Sequence, residues 1–479
     1  MLDSLVPLKK WRALEIDEEQ RLLSTTMSAE NDPLIQGNGS DLQQNYAHDD
    51  TEYDTTQRNS RILRNRVIIW SGLAVLFIVA VVVALVDSAF TRDSGLSGEL
   101  PRDPQLAAQR LLDVAPVIDG HIDLPLVARF GWRNNVTEVP LDSKMPMHVD
   151  IPRLREGKVG GFFWSVYVSC ASPEDEGPDF LKASWRVRDT LEQIDVAKGL
   201  ISKYPDDFAY TISSKDIKSA VRDGKIASIL GVEGAHQLGN SIAVLRQYYE
   251  LGVRYVTLTH TCHNAFADSC GFLTPSAPRH YGLSPLGFKL VEEMNRLGML
   301  VDLSHTSDMT ATQALLHSKA PVIWSHSSAR AIHDVSRNVP DEVLGLVGFG
   351  EGQRDAVVMV NFNGPFIAND GEADIEAVAD HIEHIGKVSG RKHVGIGSDY
   401  DGISVTPKGL EDVSKYPALI AELYQRGWSK LELAGLTGGN FLRVFEGAEK
   451  VAQDLQDAGT LPKYDIYDRR EDLPIRKEL

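Results

Sequence analysis

From about residue 104 onward, short apolar runs alternate with stretches whose apolar residues recur at helical spacing. The runs are "APVIDGHID", "VGGFFWSVYVS", "IASILGVEGAH", "RYVTLTHTC", "GMLVDLSHTS", "APVIWSHSS", "AVVMVNFN" and "KHVGIGSDYDG". Several are continuously apolar, as parallel strands covered on both faces should be. The intervening "SPLGFKLVEEMNRLG" keeps its apolar positions on one helical face and stops at Gly298. Strand followed by helix, repeated eight times, predicts an α/β protein built as a (β/α)8 barrel.

Ionisable residues crowd the C-terminal ends of these runs: His121 and Asp123, Glu233, His260, His305, His326, and Asp399 with Asp401. In such barrels the C-terminal strand ends build the active site. The first run says the most. In "VIDGHIDLPL", Asp119, His121 and Asp123 hold alternate positions, which on a strand share one face. Burying two carboxylates with an imidazole is unfavourable unless something pairs with them. A cation would do so, and His-x-Asp is a chelating spacing. Read alone, the stretch also fits a turn aspartate beside a satisfied histidine. With only Cys170, Cys262 and Cys270 in the chain, a cysteine-rich zinc module is excluded. Any metal must be held by histidines and carboxylates.

Upstream the pattern changes. Residues 67–86, "VIIWSGLAVLFIVAVVVALV", carry no charge and are long enough to cross a hydrocarbon core as a helix. Arg58, Arg61, Arg64 and Arg66 crowd its N-terminal flank, which predicts a single-pass type II membrane protein with everything downstream lumenal or extracellular. Residues 1–66 lack periodicity and read as a disordered cytosolic tail. Within it "EEQRLL" and "ENDPLI" resemble acidic-dileucine signals for vacuolar or endosomal sorting. A linker at 87–103, a barrel at 104–451 and a polar extension at 452–479 complete the division. The terminal "RKEL" departs from a retrieval signal at Lys477. A net charge of −18 argues against nucleic acid or an anionic membrane surface as the main partner. The sequon "NVT" marks Asn135 for glycosylation on the lumenal side, whereas Asn38 falls on the cytosolic side.

The stretches "DGHIDLP", "GVEGAH", "LTHTCHNAFAD", "VDLSHTS", "WSHSSAR…SRNVPD" and "GSDYDG", in that order, resemble the membrane dipeptidases, or renal-dipeptidase-like enzymes. The resemblance runs from about residue 106 to 447. It implies a dipeptide hydrolase of the amidohydrolase group with two Zn2+ per subunit and an attacking hydroxide shared between them. His121 and Asp123 would hold one zinc, His305 and His326 the other, and Glu233 would bridge both. The resemblance also implies that His260 stabilises the developing oxyanion, and that Asp399 orients the water and handles its proton. Arg337 would grip the substrate's free carboxylate, a task that suits a guanidinium. Asp401 is the positional rival of Asp399. Asp119 is read as structural, and His236 and His263 are left outside the site. A Cys170–Cys262 disulfide with Cys270 free, and a homodimer, come with the same resemblance. The chain departs from its relatives in two respects. His333 stands where some carry a disulfide cysteine, and no apolar tail for a lipid anchor follows Lys450.

Two other functions are open to such a sequence. One is a different binuclear amidohydrolase, cleaving lactams or esters; the other is a non-catalytic, membrane-anchored binding partner. The competing amidohydrolase pattern bridges its metals with a carboxylated lysine and opens on His-x-His. This chain has His-x-Asp and Glu233, with no lysine at the third strand tip. Every residue needed for two ions is present, which gives no support to a degenerate barrel.

Overall fold

The computed structural model describes residues 64–79, 81, 98–170, 185–274 and 277–470, in two units, Met1–Asp87 and Ser88–Leu479. In the first unit residues 64–79 and Val81 are helical, so the helix takes in the last residues of the expected tail. No helix among the described residues is long and apolar enough to cross a membrane. The rest of the expected span lies outside the described residues. So do both dileucine-like pieces, Asn38, most of the 87–103 linker and the terminal "RKEL".

The second unit is an all-parallel barrel. Its strands are β1 (Val117–Ile122), β2 (Val159–Tyr167), β3 (Phe208–Tyr210), β4 (Ile226–Glu233), β5 (Val253–Thr257), β6 (Leu300–Asp302), β7 (Val322–Trp324), β8 (Ala356–Val360) and β9 (Val394–Ile396). Neighbours run β2-β1-β9-β8-β7-β6-β5-β4, and a β2–β4 pairing closes the ring. These are the eight strands the apolar runs predict. The ninth, β3, is an addition: it pairs with Ile226 to Ser228 of β4, ahead of the point where β5 joins at Leu230.

Alternation along the strands sorts side chains into two cores. Val117, Phe162, Leu230, Val256, Val301, Val322 and Val358 pack outward under the helices. Ile118, Phe163, Ile229, Tyr255, Leu300, Ile323 and Val357 fill the interior, as barrel strands require. Phe441, Val444 and Phe445 of the last helix, Asn440–Asp457, join the inner cluster, Phe441 meeting Phe163 edge-on at 5.3 Å. That helix runs past the boundary expected at 451. The segment "SPLGFKLVEEMNRLG" forms the helix Pro285–Leu297, capped by the Ser284 hydroxyl and ended by Gly298 at φ 81°.

One buried group makes the fold pH-sensitive. His381 is fully buried on the helix Ile375–Val388, with Nδ1 accepting from the Ala329 N–H and Nε2 donating to the Ile367 carbonyl. Both bonds need a neutral ring. Burial pushes its pKa from 6.5 down to about 4. The unfolded chain therefore takes up this proton first as pH falls. The contribution is complete above about pH 6.5 and lost towards pH 4, reaching about 3 kcal/mol. The urea midpoint is expected to fall across that window, and His381→Gln to flatten the fall. A variant weakened equally at every pH would show that His381 only packs.

Candidate active site

Each ionisable tip lands at the same mouth of the barrel. His121 and Asp123 stand at the end of β1, Glu233 closes β4, and His260, His305, His326 and Asp399 follow β5, β6, β7 and β9. His121, Asp123, Glu233, His305 and His326 are all buried. Glu233 sits among the others. Its Oε1 lies 3.0 Å from His305 Nε2 and 3.2 Å from His326 Nε2, while Oε2 lies 3.6 Å from His121 Nε2. His121 Nε2 in turn lies 3.3 Å from Asp123 Oδ2.

These atoms are not satisfied by one another. His121 Nε2 and Asp123 Oδ1 are buried without a hydrogen-bond partner, although such groups are normally paired. Nε2 of His305 and Nε2 of His326 approach to 3.0 Å, a contact between two acceptors unless one is protonated. The ligand atoms cluster as His121–Glu233–His326, Glu233–His260–His305 and His121–Asp123–Asp399, each set lying within 4.8 Å. Buried imidazole and carboxylate at this spacing form a donor set for cations, with Glu233 common to two of the clusters.

The electrostatics say the same. Burial pushes Glu233 above the usual carboxylate range, against the pull of His121. Burial pushes Asp399 up to about 8, again against His121, with Asp123 and Glu233 adding to the rise. Burial alone would lower His121, but the charges of Asp123 and Glu233 hold it well above its ordinary value. Burial, helped by the nearby Arg337 charge, takes His305 well below the ordinary value. Several buried acids thus share too few positive charges.

Two neighbours of Asp399 explain its posture. Asn361, just after β8, donates from Nδ2 to Asp399 Oδ2 at 2.8 Å and leaves Oδ1 facing His121 at 4.0 Å. Gly402 leaves the space: a Cβ there would sit 2.1 Å from Asp123 Oδ2 and 2.9 Å from Asp399 Oδ1. Asp401, the rival, turns away and accepts from the His148 N–H at 2.8 Å. His305 and Asp399 both have left-handed backbone, φ 63° and 68°, as does Asp401 at 69°. Asp119 accepts from the Ser398 and His121 N–H groups and the Tyr416 hydroxyl, and stays out of the clusters.

The family model for membrane dipeptidases (peptidase family M19) matches residues 106–459. The chain belongs to that family. The dipeptidase aclJ of Aspergillus oryzae is 46% identical over 365 residues, covering 74% of this chain and 83% of that one. A solved metallo peptidase described as dipeptidase AC is 28% identical with TM-score 0.62, over 70% of this chain and 99% of its own. A metallo peptidase from Rhodobacter sphaeroides, solved with a phosphinate mimic of L-Ala-D-Ala, is 27% identical with TM-score 0.62, over 69% and 99%. As a member of this metal-dependent family, the protein is a hydrolase acting on dipeptides.

Asp123, Glu233, His305 and Asp399 open onto a cleft of about 310 Å³, a fit for a small molecule. His260 lines it with its Nε2 3.7 Å from Glu233 Oε1. A disulfide joins Cys170, after β2, to Cys262, after β5, and Cys170 Sγ lies 3.9 Å from His260 Nδ1; Cys270 is free and buried. Arg337 is placed differently from a residue of the cleft wall. It is buried, donating from Nη1 to Ser327 Oγ at 2.8 Å and from Nη2 to the His326 carbonyl at 2.9 Å. Its Nε has no partner, and Phe366, a wall residue, covers the guanidinium at 5.6 Å. Asn135 is exposed in a turn closed by its own side chain on Thr137.

Proposed function

We propose that the protein hydrolyses dipeptides at two zinc ions, with His121 and Asp123 holding one, His305 and His326 the other, and Glu233 shared. The observation carrying this reading is that the two oxygens of Glu233 face different histidines. Thiolate-free nitrogen and oxygen donors suit zinc. Bound there, two cations would supply Lewis acidity to the scissile carbonyl and acidify a water between them.

The chain's own residues do the rest. Asp399 Oδ1, left free by Asn361, takes the proton of the attacking water and passes it to the leaving amine. His260, from the cleft wall, donates Nε2–H to the oxygen on which charge develops. By the family likeness Arg337 reads the substrate's free carboxylate. Its Nε–H has no partner but is buried against Phe366, so that ring must move aside for the contact, which would then limit the peptide to one residue beyond the cut bond. The family's known likeness to dipeptide-cleaving relatives supports this reading over lactam or ester cleavage.

A test separates grip from scaffolding. A C-terminally amidated dipeptide loses a charge-assisted contact worth roughly 1.5–3 kcal/mol, about ten- to hundredfold in kcat/KM. Arg337→Ala is expected to penalise the free acid strongly and the amide little, so that their kcat/KM values converge. Equal losses on both substrates would mean that Arg337 acts only by holding the His326 carbonyl and Ser327.

We extend the reading to a type II anchor at residues 67–86, supported by their uncharged sequence and the arginines before them. The exposed turn at Asn135 supports a glycan there. Vacuolar or endosomal sorting rests on the two N-terminal sequence pieces, and a homodimer on the family likeness alone.

A further inference from the structure

A histidine can offer Nε2 to a cation only if its ring proton sits on Nδ1. The partners of Nδ1 therefore matter as much as the ligand atom itself. Behind His326 the chain builds such a partner from residues that carry no role in the site described above. Asp302 closes β6 and is fully buried. Its Oδ1 accepts from the backbone N–H of Ser304 at 3.1 Å and of Ser325 at 2.8 Å. Its Oδ2 accepts from the hydroxyls of Thr257 and Ser325, each at 2.6 Å.

A carboxylate surrounded by donors in this way acts as an acceptor on both oxygens. The single hydroxyl proton of Ser325 is thereby committed to Asp302. Ser325 Oγ also lies 2.8 Å from His326 Nδ1, and with its proton spent it can only accept there. His326 must then carry its proton on Nδ1, which leaves an Nε2 lone pair facing Glu233 Oε1. The other histidines differ. His305 Nδ1 is buried with no partner, and His121 Nδ1 meets the Tyr255 hydroxyl at 2.8 Å, a hydroxyl that itself bonds Ser325. Tyr255 can cross the barrel because Gly231 has no Cβ, which would lie 2.1 Å from its ring.

We propose that Asp302 and Ser325 are positioning residues that fix the tautomer of His326, and so set how tightly the His305–His326 half of the site holds its cation. The proposal rests on the ligand assignment made above. One consequence is asymmetry: two ions share Glu233, but the one at His326 depends on this buried carboxylate through Ser325 directly and the one at His121 only at one remove, through Tyr255.

The test is release of zinc from the purified full-length protein to a chromophoric chelator, which reads affinity without turnover. Wild type is expected to release two ions in separable phases. Ser325→Ala should shift one phase by about 10–100-fold and move the other much less. Thr257→Val, which removes a donor to Asp302 that leads to no histidine, should leave both phases in place. Should Ser325→Ala fail to fold, Asp302→Asn carries the same test. Its amide can donate to Ser325 Oγ, freeing the serine proton for His326 Nδ1 and favouring the wrong tautomer, with the same unequal shift expected. Unchanged phases, equal shifts in both, or a Thr257→Val shift matching that of Ser325→Ala would overturn the proposal. A wild-type protein that takes up no zinc would instead overturn the ligand assignment, and the proposal with it.

Discussion

Replacing Glu233 by glutamine is expected to lower kcat/KM by at least about a thousandfold, or about 4 kcal/mol of transition-state stabilisation. The loss should come with both metals. Oε1 lies among His305 and His326 and Oε2 beside His121, so one side chain serves both halves of the site. A neutral amide keeps the shape, but it offers one acceptor and one donor where two anionic acceptors are needed. The fold should survive, because the change removes a negative charge from a buried cluster that also holds Asp123 and Asp399. Elemental analysis beside a thermal melt reads both effects. A folded Glu233→Gln protein with two metals and near-normal turnover would refute the bridging role.

The second large effect is expected at Asp399, and it should look different. Asp399→Asn is expected to lower kcat by about a hundred- to ten-thousandfold while both metals stay bound. Asparagine cannot take a proton, yet its carbonyl oxygen can still accept from Asn361, which holds the wild-type carboxylate at 2.8 Å. The site should therefore keep its shape and lose only proton transfer. Asp401→Asn is the matched control. Asp401 is engaged with His148, so its loss should lower stability more than kcat. A larger kcat loss at Asp401 than at Asp399 would reverse the assignment of the base.

The barrel was legible because its eight strands are apolar runs, several of them continuous, separated by helical patterns. The extra strand β3 was not. "FAY" is too short for periodicity, and only Phe208 is buried. The metal-ligating candidates could be read because ionisable side chains rarely end so many apolar runs without purpose. Alternation alone could not separate Asp119, read as structural and found so, from the two site residues. It shares the period of His121 and Asp123, but its carboxylate is consumed by Ser398 and Tyr416. Charge could not rank Asp399 above Asp401 either; the turn that aims one at His121 and the other at His148 does so. Asn361, Gly402, Asp302 and Ser325 escaped because their roles depend on partners distant in sequence. Nothing local distinguishes a serine that orients a histidine from one that ends a strand. For Arg337 the sequence named the residue but not its depth, since its burial depends on the fold around His326, Ser327 and Phe366.

If two cations share Glu233, hydrolysis should need both. Stepwise zinc titration of the metal-free protein, following bound metal and dipeptide hydrolysis together, tests it most directly. Two ions per chain are expected, with hydrolysis rising as the second is taken up. Full turnover with a single ion per chain, or hydrolysis unaffected by complete metal removal, would contradict it.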